Sequence, residues 1–221
     1  FNDWCGELTQ VITIRLENDA SLSAEQRVKL RKELQIRREQ VLAKKLANLL
    51  DERWRGGDAT EFVTEMVALV LELSKTNLGP QMCVSIGLMY EMVADSALGV
   101  KRRLAELGFS GGSSATRTVK ATARALQAAQ KLKEEQDKME KDPSDSNEGD
   151  RAKIQEHLYN IMALDIESTV GSAARLCLSD TSISREERQE RAKGLLKLGR
   201  IFQGKLEPNV TPLAVEAESE A

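Results

Sequence analysis

The chain has 221 residues, of which 41% are hydrophobic and 30% are charged, and only four are prolines. This length suffices for one large core or two small ones, and we expect one core with peripheral pieces. Leu, Ala, Glu, Lys and Arg dominate the composition, which is typical of long helices and disfavours a sandwich or a barrel. The net charge of −3 creates no field that would draw the chain onto nucleic acid, so we expect no nucleic-acid partner.

The three cysteines and the hydropathy pattern indicate the redox compartment of the protein and its relation to membranes. Cys5, Cys83 and Cys177 are scattered without a Cys-x-x-Cys pair, which indicates neither a disulfide framework nor a zinc site and favours a reducing compartment. No apolar run approaches the ~20 residues that cross a bilayer, so we predict no transmembrane segment. Because the chain begins at Phe1 rather than Met, we expect it to be part of a longer protein whose targeting signal is not visible.

The first two predicted elements are a strap and a helix. Residues 1–21 have apolar side chains without helical spacing, and we predict an extended strap whose Phe1, Trp4, Leu8 and Ile12 pack onto the body. A helix begins after Ser23, where the Ser-Ala-Glu-Gln sequence matches a capping box, and it continues to about Arg53 with a one-sided apolar stripe.

Two further helices complete the predicted helical core of residues 22–109. Gly56-Gly57 ends the preceding helix, and Asp58-Ala-Thr-Glu61 opens the next one with a second capping box. That helix is apolar on two sides, so it should be central and buried. After Pro80 another helix with a continuous stripe at spacings of three and four should run to about Leu107.

The second half of the chain divides into three parts. Residues 110–150 should form an exposed Ala-, Lys- and Glu-rich helix (114–139) followed by a flexible linker (142–150). Residues 151–204 should form a C-terminal helix pair that completes the core, with a third capping box at Ser184-Arg-Glu-Glu187. Residues 205–221, with two prolines and several Glu, should be a disordered tail unless a partner captures it. The predicted fold is therefore an all-α bundle of about six helices.

The sequence contains no recognisable catalytic, cofactor or metal site. His157 is the only histidine, no Glu-x-x-His occurs, and no glycine-rich phosphate loop is present. We therefore predict no catalytic residue, no cofactor and no metal. His157 is interpreted as a surface or boundary side chain, with a contact to a partner or a weak metal ligand as the alternatives.

A few side chains remain as candidates for contacts with other proteins. Met92 falls off the main apolar stripe and is the best exposed candidate for client contact. Asp165 is interpreted as a structural anchor that accepts a buried amide or pairs with Arg175 or Lys197. The basic clusters around Arg37-Arg38 and Lys101–Arg103 are interpreted as solvated helix faces, with an acidic protein partner as the alternative. The candidate partner-binding residues are thus Phe1, Trp4, Leu8, Met92 and His157.

Four segments, taken together and in order, resemble one family. They are FNDWCGEL at the start, LAKKLANLLDERWRGGDATEFVTEM, SIGLMYEMVADSALG, and the pair LDIESTV and LCLSDTSISREERQERAKGLLKLGRIFQG. These resemble the X-domain DnaJ-type co-chaperones, in the region that follows the J-domain, over residues 1–204 except 110–150. The chain departs from the family at Tyr159, where a Trp is common, and it lacks the His-Pro-Asp of a J-domain.

The resemblance implies a non-enzymatic role. A J-domain outside this sequence would recruit a heat-shock 70-kDa-type chaperone, while the helical module binds a client or partner, dimerises or docks to an organelle. The location implied is cytoplasmic or organelle-associated, in a reducing compartment. The alternative is a structural or assembly subunit of a large complex, derived from a J-protein and bound to a scaffold protein.

Overall fold

The computed structural model describes residues 1–99 and 148–205, together with the isolated positions 127 and 131. Over these residues the regular structure is helical and contains no strand, which confirms the all-α fold class. The helices are α1 (Asn2–Cys5), α2 (Thr9–Glu17), α3 (Ala24–Leu49), α4 (Ala59–Leu73), α5 (Gly79–Ala97), α6 (Glu148–Leu178) and α7 (Arg185–Phe202). A π-helical segment, Leu50–Arg55, continues α3.

Three helices begin where the sequence places their caps. At α3 the Ser23 Oγ accepts from the Gln26 amide at 3.2 Å, and the Gln26 side chain accepts from the Ser23 amide at 2.8 Å. Ser184 and Glu187 form the same reciprocal pair at α7. Asp58 accepts from the amides of Thr60 and Glu61 at the start of α4. Because these contacts are local, the capping pattern in the sequence was sufficient to predict these starts.

The predicted extended strap is wrong in its conformation. Residues 2–5 and 9–17 are helical, with Gly6 at φ +70° ending α1. The start of α2 is stabilised by Asp165, which lies 156 residues away in the sequence, so no local pattern indicates this helix. The predicted packing is nevertheless observed: Ile12 is buried, and Phe1, Trp4 and Leu8 pack against the core.

Two other predicted boundaries differ from the structure. Helix α5 ends at Ala97, ten residues before the predicted end, because Gly99 takes a positive φ of 72° that stops the helix. Helix α6 begins at Glu148, inside the predicted linker. The rest of the predicted exposed helix and linker lies outside the described residues, apart from Gln127 and Lys131, which are helical and exposed. The predicted tail also lies outside them from residue 206 onward.

The core joins the helices from α3 to α7. Helix α5 packs against α6 and α7, and α3 packs against α6. The largest side chains with essentially no exposure come from α4 to α7 and from the π-helical segment. They are Leu50, Phe62, Ile86, Ile166, Leu195, Leu198, Ile201 and Phe202. Helix α4, predicted to be central, buries Phe62, Met66 and Val70 on one apolar face. Its second apolar face is only partly covered, because Val63 and Val67 pack against the core while Leu71 is 62% exposed.

The π-helical segment at the end of α3 turns the chain toward α7. The amide of Gly56 donates to the carbonyl of Asp51 at 2.9 Å, which is the wide hydrogen bond of a π-helix. Trp54 packs edge-on against Phe62, with ring centroids 5.6 Å apart. A Cβ atom built at Gly194 of α7 would lie 2.7 Å from the Trp54 ring, so glycine is what allows this indole to lie against the helix.

Helices α5 and α7 touch backbone to backbone through two glycines. A Cβ atom at Gly87 would lie 2.6 Å from the carbonyl oxygen of Gly199. A Cβ atom at Gly199 would lie 2.7 Å from the amide nitrogen of Glu91 and 2.8 Å from the carbonyl oxygen of Gly87. Since these are backbone atoms, they cannot move aside without separating the two helices.

We expect Gly87→Ala to destabilise the protein, because the added methyl group must push α7 away from α5. Overpacking of this kind costs roughly 1–3 kcal/mol, which exceeds the ~1 kcal/mol that Ala gains over Gly in a helix. The matched control is Gly171→Ala in α6, where the nearest atom is a flexible Arg175 nitrogen at 3.4 Å. Urea unfolding should show a loss of stability for the first variant and none for the second. Equal effects would contradict the close packing.

Arg191 of α7 connects the π-helical segment with the turn between α6 and α7. Its guanidinium donates to both carboxylate oxygens of Asp51, at 2.8 and 2.6 Å, to Asp180 at 3.0 Å, and to the carbonyl of Cys177 at 3.1 Å. The arginine side chain is only 4% exposed. With two carboxylates and a carbonyl as partners, the buried charge is well compensated.

The Asp180 carboxylate should make stability depend on pH in the acid range. Hydrogen bonds from the hydroxyl and amide of Ser182, and then from Arg191, lower the pKa of Asp180 from 3.8 to about 2. Its contribution to stability is therefore complete above about pH 4 and is lost as the pH falls toward 2. We expect Asp180→Asn to lose less stability than the wild type between pH 4 and pH 2 in thermal unfolding. Glu190→Gln, which removes an exposed partner of Lys193, serves as control and should follow the wild type.

Candidate partner-binding surface

The N-terminal helices are fixed to the core by a buried ion pair between α3 and α6. Arg38 Nη1 donates to the two carboxylate oxygens of Asp165 at 3.0 and 3.1 Å, and the side chains are 5% and 13% exposed. Both residues also bind the N-terminal segment. Arg38 donates to the carbonyl of Cys5 at 2.6 and 2.9 Å, and Asp165 accepts from the amide and the hydroxyl of Thr9 at 2.9 and 2.6 Å.

This geometry corrects two interpretations drawn from the sequence. Asp165 is a structural anchor that accepts an amide, as predicted, but its cationic partner is Arg38 rather than Arg175 or Lys197. Arg38 is buried and does not belong to a solvated basic face. A signal for this was present in the sequence, because Arg38 lies four residues after Leu34 and four before Leu42, on the apolar side of α3.

An aromatic cluster joins α1 to the middle of α5 and the end of α7. The Trp4 and Phe202 rings lie 4.9 Å apart, and Phe202 meets Tyr90 edge-on at 6.0 Å. Tyr90 is 3% exposed, and burial raises its pKa above the ordinary value. Phe202 is fully buried beneath the half-buried Trp4. Trp4 therefore covers the core at the point where α7 ends.

Beside Trp4 an apolar cavity of about 270 Å³ opens between α1 and the core, and we call it the Trp4 recess. The residues that line it are Asp3, Trp4, Leu42, Lys45, Leu46, Leu49, Tyr90 and Ala173. Most of these side chains are apolar, and the two charged ones, Asp3 and Lys45, form an ion pair of 2.7 Å. The recess thus presents an apolar floor with a charged rim.

A second cavity of about 240 Å³ lies on the same side of α3, and we call it the basic recess. Leu42 and Lys45 line both recesses. The other residues of the basic recess are Asn2, Gly6, Glu7, Ile12, Arg15, Leu34, Arg37, Arg38 and Val41. Helices α1 and α2 thus contribute to a continuous surface with two adjacent concave sites.

The predicted partner-binding residues do not form one site. Trp4 lines the first recess, whereas Phe1 and Leu8 are partly buried against the core and line neither recess. Met92 is half-buried and lines a separate cavity of about 290 Å³ near Arg175 and Leu178. His157 is 8% exposed, so its interpretation as a surface or boundary residue is wrong. An imidazole can be buried when its polar atoms have partners, and residue type alone does not reveal this.

Tyr159, the position where the sequence departs from the resembled family, keeps a structural role. Its hydroxyl lies 2.6 Å from Ser85 Oγ and donates to the carbonyl of Gln81 at 3.0 Å. It therefore fastens α6 to α5. Its ring is one of the partly buried side chains that pack on the core.

The described residues contain no group of three His, Cys, Asp or Glu side chains able to hold a metal ion. All three cysteines are free and buried. Burial raises the pKa of the thiols of Cys5, Cys83 and Cys177, in the last case to about 12. Thiols protonated in this way are poor nucleophiles. None of the helices in the described part of the chain is long and apolar enough to span a membrane.

Asp165→Ala should destabilise the protein strongly, because it leaves the Arg38 guanidinium buried without its counter-charge and removes the cap of α2. Breaking a buried ion pair by removing one partner costs about 3–5 kcal/mol. Arg15→Ala is the control, since its ion pair with Glu7 is exposed and such pairs contribute about 0–1 kcal/mol. Guanidinium unfolding followed by tryptophan fluorescence would compare them. A small effect of Asp165→Ala would show that α1 and α2 do not depend on this pair.

One comparison with known proteins identifies the chain. No solved structure matches it. The family described as the X-domain of DnaJ-containing proteins matches residues 35–212, which is well over half of the sequence. The match includes Arg38, Asp165 and the core helices from the middle of α3 onward, while α1 and α2 precede it. The family resemblance seen in the sequence is thereby confirmed, and the chain belongs to the X-domain family of DnaJ-containing proteins.

Proposed function

We propose that this chain is the non-catalytic, partner-binding module of a DnaJ-type co-chaperone, and that the Trp4 recess holds apolar side chains of a client protein. A J-domain would recruit a heat-shock 70-kDa-type chaperone to the same client. The observation that carries the proposal is an open apolar recess on a member of a DnaJ-associated family.

The size and chemistry of the recess suit a polypeptide client. Its volume is about 270 Å³, and most of the residues that line it are apolar. Unfolded proteins expose apolar side chains that gain free energy on burial, and the recess offers Leu46, Leu49 and Tyr90 for that purpose. Asp3 and Lys45 at the rim can bind the polar groups of a client backbone.

Helix α1 places the Trp4 recess on the N-terminal side of the family-matched residues. Asp3 and Trp4 precede the family-matched residues 35–212, yet they form one wall of the recess. A J-domain joined to the N-terminal side of this chain would therefore lie close to a bound client. Such proximity would raise the effective concentration of the client at the chaperone that the J-domain recruits.

We also propose that the protein acts in a reducing compartment and that it forms a homodimer. Three free, buried thiols suit a reducing compartment, which includes the cytoplasm and the surfaces of organelles facing it. A homodimer would place two recesses on one particle and increase avidity for an extended client.

Leu49→Ser tests the recess directly, because Leu49 is a half-buried wall residue at the surface of α3. We expect affinity for a fluorescently labelled, chemically unfolded client to fall about tenfold, the equivalent of ~1.4 kcal/mol, in an anisotropy titration. The control is Leu71→Ser on α4, an exposed leucine outside both recesses, which should leave affinity unchanged. Thermal unfolding of both variants would separate lost binding from lost folding.

The co-chaperone and scaffold alternatives give different results when the chain is fused to an active J-domain. The co-chaperone predicts that the fusion stimulates ATP hydrolysis by a heat-shock 70-kDa-type chaperone and that the client increases this stimulation. If Leu49→Ser abolishes the client-dependent increase in ATP hydrolysis, that increase depends on the Trp4 recess. If neither variant nor wild type binds the client, the proposal fails and the scaffold role replaces it.

A further inference from the structure

The basic recess combines an apolar floor with a cationic rim. Ile12 and Leu42 are buried at 7% and 6% exposure, and Val41 remains 48% exposed beside them. Arg15, Arg37 and Lys45 also line the recess. A ligand that fits this chemistry has aliphatic side chains next to carboxylates, because the floor gains from apolar burial and the rim gains from charge-assisted hydrogen bonds.

The cations of this recess are not fully compensated by neighbouring acids. Arg15 pairs with Glu7, Lys45 with Asp3, and Arg38 with Asp165. Arg37 is exposed and forms no ion pair with any residue in the described part of the chain. Since the pairs of Arg15 and Lys45 are also exposed, their cations can exchange partners at little cost. The recess therefore has at least one positive charge to offer an anionic ligand.

The chain itself contains a segment of this chemistry. Residues 212–221, PLAVEAESEA, carry Leu213 and Val215 and then Glu216, Glu218 and Glu220. No Lys or Arg occurs after Lys205. The order of aliphatic side chains followed by carboxylates matches a recess with an apolar floor and basic residues at its edge.

The last described helix ends against α1, the short helix that borders the basic recess. Phe202, at the end of α7, lies against Trp4 of α1, and Asn2 of the same short helix lines the basic recess. Lys205, the last described residue, pairs with Glu91 of α5 at 2.8 Å. From there Leu213 is eight residues away, a reach of up to about 26 Å. The segment therefore starts within reach of α1, which Phe202 itself contacts.

We propose that the basic recess binds the chain's own C-terminal segment, residues 212–221. Its aliphatic side chains cover Ile12, Val41 and Leu42, and its glutamates pair with Arg37 and Lys45. Because Lys45 and Leu42 also line the Trp4 recess, the bound segment lies next to the proposed client site and competes with a client for Lys45. The binding itself does not depend on the proposed client function.

A spin label on the C-terminal segment of the full chain tests this contact. Ser219→Cys can be labelled selectively with a nitroxide, since Cys5, Cys83 and Cys177 are each at most 2% exposed. In methyl NMR spectra, Ile12 and Val41 should lose intensity, whereas Leu71 and Val84, which are exposed outside the recess, should not. The reduced label provides the reference spectrum. Equal intensities at all four residues would overturn the proposal.

Charge exchange separates specific binding from random contact. Arg37→Glu should remove the intensity loss at Val41, and combining it with Glu216→Lys and Glu218→Lys should restore it. Lys29→Glu, which changes another exposed cation of α3 that lies outside the recess, should leave the loss intact. Raising the salt concentration should weaken the contact, because exposed charges are screened.

A mixed sample identifies which chain supplies the segment. Spin-labelled chains without methyl labels are combined with methyl-labelled chains without the spin label. We expect no intensity loss at Ile12 or Val41 in this mixture. A loss would show that a second copy provides the segment and would overturn binding within one chain. Client binding by the Leu49 variants is measured separately, so failure of either proposal leaves the other testable.

Discussion

The buried pair of Arg38 and Asp165 determines how the N-terminal segment joins the bundle. Removing both charges from water is costly, and the cost is offset because each group also binds backbone of residues 5–9. The carboxylate does two things at once, since it neutralises the guanidinium and caps α2. Without this pair, α1 would lose the hydrogen bonds from Arg38 to the carbonyl of Cys5 and would keep only its packing on the core and the exposed pair of Asp3 with Lys45.

A second polar centre plays the equivalent role in the π-helical segment that follows α3. Arg191 gathers Asp51, Asp180 and a carbonyl of α6. Together the two arginines bridge α3, α6 and α7, while the glycines of α5 and α7 set the closest helix contact. The apolar core is non-directional and tolerates several helix arrangements, whereas these hydrogen bonds and backbone contacts admit one.

The fold class and most helix starts were predictable because their causes are local. The caps of α3, α4 and α7 at Ser23, Asp58 and Ser184 bind amides within three residues, so they predict these helix starts. The apolar stripes predict the buried faces. The N-terminal helices were not predictable, since α2 is capped by a residue 156 positions away. The candidate site was predicted only at Trp4. Lys45 and Arg37 carry no local sign of a recess, and the burial of His157 depends on helices brought together by the fold.

The π-helical turn at the end of α3 determines the direction in which the side chains after it point. Relative to an α-helix, a π-turn accommodates one extra residue, so every side chain after it is rotated by about a quarter turn or more. In this chain Asp51 thereby faces Arg191 while Trp54 lies over Gly194. Deleting a single residue between Leu50 and Arg55 would leave a regular α-helix of good propensity, yet it would point the acid and the indole away from α7. The number of residues in this turn therefore determines whether the π-helical segment can pack against α7.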